Sequence, residues 1–316
     1  MSTVILAVAV SEDRPRGKIL ARGTQGNFGY LHSFHRLCRK YGISPSYFMS
    51  YPALRSERLD WLRKAQALGE CELGTLSQSW TTPPFAANEN RLTGTPTAQQ
   101  SRSMVEAKLS TLSNAFEARF GRAPIAHMSD GWDFSSNLLN ALVANGYTVD
   151  CSFAPGVSSA GSPKDNPLNG PYFPSLQMPA SRGSAPVLEV PIATSNGFDS
   201  LFVRGEFVPA GIGAALGPLF GNAWGSSANL DILRADCRTI QAHLELAIAK
   251  GTPTIVLPLQ SYDLGIGTSD LATNEDELSD LLQRLDQLFR VIVDTLQVPS
   301  LGIEAFSVQH LNAVIN

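Results

Sequence analysis

The chain has 316 residues, a formal net charge of −4 and only 16% charged residues. That length buries an ample hydrophobic core in one large domain or two ordinary ones, so stability requires neither disulfides nor a structural metal. So weak a field lacks the footprint of a nucleic-acid or anionic-membrane binder and leaves small or neutral ligands.

The opening STVILAVAV is a short apolar run without preceding basic residues, and it ends on Ser11, Glu12 and Asp13. It predicts a first β-strand, Val4 to Val10, and not a signal peptide. No stretch approaches the roughly 20 apolar residues of a membrane helix, so a cytoplasmic chain is expected. Leu31, Phe34, Cys38 and Tyr41 recur at helical spacing up to Gly42, which suits a left-handed cap. Tyr47 to Met49 reads as the second strand. Leu59, Leu62 and Ala65 mark a helix before Gly69, and CELGTL reads as the third strand. Val105, Leu109, Leu112 and Phe116 define a long amphipathic helix stopping at Gly121. Strand Ile125 to Met128 follows, then a helix through Leu138, Leu139, Leu142 and Val143 to Gly146, then strand Tyr147 to Phe153. This alternation predicts a mostly parallel sheet with right-handed crossovers.

Residues 154–186 turn to Pro, Gly, Ser and Asn and read as a long loop excursion. Val187 to Ile192 resumes as strand, and 208–229 reads as an irregular Gly-rich insertion. A helix from Ile232 to Ala249 leads into strand Thr254 to Leu259. Thr273, with Asp276 three residues on, opens a helix that turns Leu278, Leu281, Leu285, Leu288 and Ile292 inward. There is no internal repeat and no domain boundary, so residues 1–316 are expected to form a single domain.

The four cysteines, Cys38, Cys71, Cys151 and Cys237, are widely spaced without a CxxC pair and read as reduced small hydrophobes. His32 and His35 lie one turn apart, but His35 falls on the apolar helix face and reads as a packed core residue. His243 and His310 sit on predicted helices without a chemical signal. Trp61 and Trp224 read as packing residues.

The segment ELGTLSQSWTTPPF, Glu72 to Phe85, resembles the second motif of the polysaccharide deacetylase superfamily, the NodB-homology or carbohydrate esterase family 4 group, which reads Glu-Ile-Gly-x-His-x-His-x-Trp-x-x-Pro-Pro. Glu72, Gly74, Trp80, Pro83 and Pro84 match, while Leu76 and Gln78 stand at the two histidines. HMSDGWDF, His127 to Phe134, is similar to Arg-x-Gly-x-Trp-x-Phe, with Met128 at the arginine. NGYTVDCSFAPG resembles the strand and loop that follow. PLQSYDLGIG resembles a strand ending in His-Ser-x-Glu-Leu, with Gln260 at the histidine. The resemblance runs from Val4 to about Leu296 and implies a distorted (β/α) barrel with its site at the carboxyl ends of the strands.

In that family an Asp and two His hold a divalent metal, usually zinc, that polarises an acetamide carbonyl and acidifies a bound water. A second Asp is the base and a late His the acid. Leucine has no lone pair and a glutamine amide binds zinc poorly, so the resemblance implies a scaffold that has lost its zinc, with no cofactor. The first motif admits two registers. Either Glu12 and Asp13 of SEDRP stand at the base and metal-ligand positions, or a shifted register puts Ala9 and Ser11 there.

The resemblance then implies a degenerate deacetylase-like protein that binds a carbohydrate or nucleotide-sugar intermediate, or supports a protein partner, in surface-polysaccharide (O-antigen or exopolysaccharide) biosynthesis. The expected binding residues are Gln78, Trp80, His127, Asp130, Trp132 and Gln260. Two rivals stay open. One is an active deacetylase or hydrolase using the carboxylates of Glu12, Asp13 and Asp130 without the family metal. The other is a structural protein whose cleft is filled by its own side chains.

Overall fold

The protein is described by a computed structural model that covers residues 2–15, 20, 23–87, 94–155, 170–196, 227–229 and 231–315. Its strands are β1 (Thr3–Val10), β2 (Ser46–Met49), β3 (Glu72–Ser77), β4 (Ala126–Ser129), β5 (Val149–Asp150), β6 (Leu188–Glu189), β7 (Thr194–Asn196), β8 (Ser227–Asn229) and β9 (Thr254–Gln260). Seven of them form one parallel sheet in the order β6-β5-β4-β3-β2-β1-β9, curled into a half-barrel. β7 and β8 pair in a separate antiparallel ribbon. The helices are α1 (Leu31–Lys40), α2 (Tyr51–Leu54), α3 (Trp61–Ala67), α4 (Arg102–Phe120), α5 (Ser136–Ala144), α6 (Cys237–Ala249), α7 (Glu275–Arg290) and α8 (Ile303–Ile315).

Alternation along the strands sorts the core into two layers. On β1, Val4, Leu6, Val8 and Val10 face the helices and pack with residues such as Phe34, Leu112 and Phe289. Ile5, Ala7 and Ala9 face the inside of the half-barrel with Phe48, Leu76 and Met128, closed by Ile303 and Phe306 of α8. Both faces are covered, which is why β1 is a continuous apolar run.

Two residues of the ELGTLSQSWTTPPF segment are structural. Gly74 lies where a Cβ would stand 2.7 Å from the Ala126 carbonyl and 2.9 Å from the Phe48 ring, so only glycine lets β2, β3 and β4 approach this closely. Glu72 reaches the start of α8, where its carboxylate accepts from the Glu304 N–H at 2.5 Å and the Ala305 N–H at 2.9 Å. That bond set satisfies amides a helix start leaves open and fastens α8 across the bottom of the half-barrel. Burial pushes the Glu72 carboxyl up, against those hydrogen bonds.

Several boundaries differ from the expectation. The fifth strand is only Val149–Asp150. α6 begins at Cys237 instead of Ile232 because Asp236 caps it, accepting from the Thr239 N–H. The capping box of α7 is shifted by one residue: Asn274 accepts from the Glu277 N–H at 3.0 Å, and the Glu277 carboxylate returns to the Thr273 N–H at 2.6 Å. The excursion at 154–186 is partly packed, since Tyr172 bridges Glu189 and is buried; residues 156–169 lie outside the described part. Of the Gly-rich insertion at 208–229 only β8 is described, and Trp224 also lies outside. Cys38, Cys71 and Cys151 are buried free thiols and Cys237 is half-buried. His35 is buried, with Nδ1 3.2 Å from the Tyr47 hydroxyl. Among the described residues no helix is long and apolar enough to cross a membrane.

Candidate functional site

The chain leaves β1 at Ser11, and its next residues are pinned before any side chain is considered. The Asp13 N–H donates to the Thr24 carbonyl at 2.9 Å and the Arg14 N–H to the Thr268 carbonyl at 2.8 Å. This points the Arg14 side chain across the carboxyl ends of the strands. Its guanidinium pairs with the carboxylate of Asp130, the residue after β4. It also lies 5.2 Å from the centre of the Trp80 ring and 5.1 Å from that of Tyr262. Gln78 completes the group by donating its Nε2 to the same Asp130 oxygen at 3.3 Å.

The cluster is largely dry: 18% of the Arg14 side chain and 5% of the Asp130 side chain are exposed. Burial opposes the guanidinium charge, but Asp130, Tyr262 and Asp263 together outweigh it and hold Arg14 above its ordinary range. Burial likewise pushes the Tyr262 phenol up. Asp130 is aimed by a turn in which Gly131 and Trp132 both take positive φ, 69° and 56°. A tryptophan in that region is held there by its surroundings, and Trp132 packs against the inner core layer.

Beside this cluster lies a cavity of about 290 Å³. Arg14, Gln78, Trp80 and Asp130 line its polar side, and Leu109 and Leu112 of α4 its apolar side. The volume is at the lower end of small-molecule sites, with the usual mixture of apolar wall and a few convergent polar groups. Lys108 of α4 fixes the loop over it, donating to the carbonyls of Ser79 at 2.9 Å and Thr82 at 2.8 Å.

The structure therefore brings together Gln78, Trp80 and Asp130 and adds two residues that sequence reasoning missed, Arg14 and Tyr262. The other expected residues stand elsewhere. Leu76 is fully buried in the inner core layer opposite Met128. Gln260 pairs with Ala9 at the end of β9, and its Oε1 has no hydrogen-bond partner among the described residues. Asp13 spends its carboxylate on the start of the first helical turn, accepting from the Gly26 N–H at 2.8 Å, the Asn27 N–H at 2.9 Å and the Asn27 side chain at 2.6 Å. Glu12 packs on Gly23, whose missing side chain makes room for its carboxylate.

His127 is a correction to the expected cleft lining. It faces the helix side of the sheet, opposite to Asp130, and is fully buried. Its Nδ1 is 2.7 Å from Asp150 Oδ1, and Ser152 donates to the same oxygen at 2.8 Å. Glu189 is the next residue in that register row. Burial and the neighbouring Asp150 push its carboxyl well up, and the Phe153 N–H donates to it at 2.9 Å.

These residues do not fit a catalytic divalent metal. Among the described residues no group of three or more His, Cys, Asp or Glu is arranged to hold one. Leu76 offers no lone pair, Asp13 is already engaged by three N–H donors, and the Gln78 amide is engaged by Asp130 and by the Thr81 hydroxyl at 3.3 Å. The Arg14 cation already occupies the mouth and would repel a second one.

No protein-family model matches the chain, and no curated protein matches it. Solved structures do. A structure described as a polysaccharide deacetylase from Mycobacterium smegmatis aligns with a TM-score of 0.54 at 13% identity, covering 91% of this chain and 78% of that one. An allantoinase, Puue, aligns at 0.55 and 13%, covering 96% and 88%. A GH57 branching enzyme from Thermococcus kodakaraensis aligns at 0.53 and 9%, covering 96% and 70%. The chain shares the (β/α) half-barrel fold of these proteins, polysaccharide deacetylases among them.

Proposed function

We propose that the chain is a deacetylase-like barrel that binds a carbohydrate or nucleotide-sugar ligand without metal-dependent hydrolysis, as a cytoplasmic component of surface-polysaccharide biosynthesis. The carrying observation is the mouth of the half-barrel, where Arg14 and Asp130 neutralise one another beside a cavity of about 290 Å³. A neutral, hydroxyl-rich carbohydrate suits that balance better than the charged diphosphate of a nucleotide-sugar. Trp80 supplies an aromatic wall for the apolar face of a sugar ring, and Gln78, Asp130 and the guanidinium supply donors and acceptors for its hydroxyls. Two of the proteins with this fold are named for carbohydrate work, a polysaccharide deacetylase and a branching enzyme solved with glucose. That is support by analogy of fold.

The carboxylate-only hydrolase is not favoured, because Asp13 and Asp130 are each committed to a separate set of partners. The test is acetate release from N-acetylated oligosaccharides with and without zinc, run beside binding of the same sugars. Binding without release supports the proposal. Release at enzymatic rates refutes it.

A further inference from the structure

The group that fills the barrel mouth is itself a cation. We infer that Trp80, Tyr262 and Asp130 form a built slot for a guanidinium-type organic cation, and that the chain fills it with its own Arg14 in place of any metal ion. Four segments converge there: the loop after β1 brings the guanidinium, the loop after β3 brings Trp80, the turn after β4 brings Asp130, and the turn after β9 brings Tyr262.

The chemistry of the slot selects its occupant. A divalent metal requires several oxygen, nitrogen or sulfur donors with free lone pairs. The slot offers two aromatic rings and the Asp130 carboxylate, whose Oδ2 also accepts from Gln78, with Asp263 adding a further negative charge nearby. Aromatic rings attract a flat, weakly hydrated cation, and a carboxylate matches the guanidinium fork. Lysine, compact and strongly hydrated, would use neither feature as well. Because the cation is covalently part of the chain, it arrives with folding and ties the ends of β1, β3, β4 and β9 together. The slot does not depend on the carbohydrate proposal, since it is complete within the chain.

Removing the occupant while leaving the slot tests this. Arg14→Ala is expected to lower Tm by about 5–10 °C. Millimolar ethylguanidinium should recover part of that loss in Arg14→Ala, leave the wild type unmoved, and have no effect on Arg14→Ala/Asp130→Asn. Zinc or manganese should recover less than ethylguanidinium. An unchanged Tm in Arg14→Ala overturns the inference, as does recovery that persists without Asp130 or is greater with metal. Should Arg14→Ala not fold, Arg14→Lys decides: a folded protein with a Tm below the wild type is expected, and a Tm equal to the wild type overturns it. Sugar binding is a separate readout, so failure here leaves the carbohydrate proposal standing, and the reverse.

Discussion

The Nδ1 of His127 and the Oδ1 of Asp150 lie 2.7 Å apart, with neither side chain exposed. This bond ties β4 to β5 on the helix side of the sheet, where Glu189 of β6 continues the same register row. It stiffens the part of the half-barrel from which Asp130 projects. His127→Ala leaves a hole and strips the Asp150 oxygen of a donor, which together cost about 2–4 kcal/mol. Urea unfolding should show that loss. Asp150→Asn, which keeps an acceptor for the Ser152 hydroxyl, should lose less.

The pH dependence of stability has a sign that can be worked out at Asp263. Burial pushes this carboxyl up to about 6, against a bond from Ser269. Between about 4 and about 6 the folded protein then holds a proton that the unfolded chain has released, so stability from this group falls as pH rises through that window. Asp263→Asn removes that slope. The variant should be more stable than the wild type at pH 7 by about 1–3 kcal/mol and lose the advantage below pH 4. Unfolding midpoints at pH 4, 5.5 and 7 check this.

Putting histidines at the two ligand positions should not restore a metal site. Leu76→His buries an imidazole in an apolar layer where Met128 and Phe48 pack, at a cost of about 2–4 kcal/mol. Gln78→His meets the Arg14–Asp130 pair. Zinc titration of Leu76→His/Gln78→His should show no stoichiometric site, since Arg14 still occupies the mouth and Asp13 stays engaged by Gly26 and Asn27.

Ligand binding should depend on Trp80 more than on Trp132. Trp80 lines the cavity, whereas Trp132 packs into the inner core layer. Trp80→Ala is expected to weaken sugar binding about tenfold or more, the order of 1.4 kcal/mol, with little change in fold by circular dichroism. Trp132→Ala should show mainly a loss of stability.

Much of this was legible in the sequence for a physical reason. The β1 run, the helix faces and the glycine stop at Gly121, with φ of 73°, follow from local pattern. The loss of electron-pair donors at Leu76 and Gln78 is a matter of side-chain chemistry and needs no coordinates. The face of His127 was also available, because alternation from Met128 and Asp130 puts it on the opposite side. Arg14 was not: its role depends on a long side chain reaching Asp130, 116 residues away, and no periodicity encodes such a contact. The turn-borne Tyr262 was hidden in the same way.

The most direct measurement is titration of the EDTA-treated wild type with neutral and N-acetylated oligosaccharides, following tryptophan fluorescence with and without zinc and assaying acetate in the same samples. The expected result is saturable binding that is the same with and without zinc, is weakened about tenfold or more in Trp80→Ala, and releases no acetate. Binding that requires zinc, or acetate released in step with it, would contradict a barrel that binds carbohydrate without metal-dependent hydrolysis.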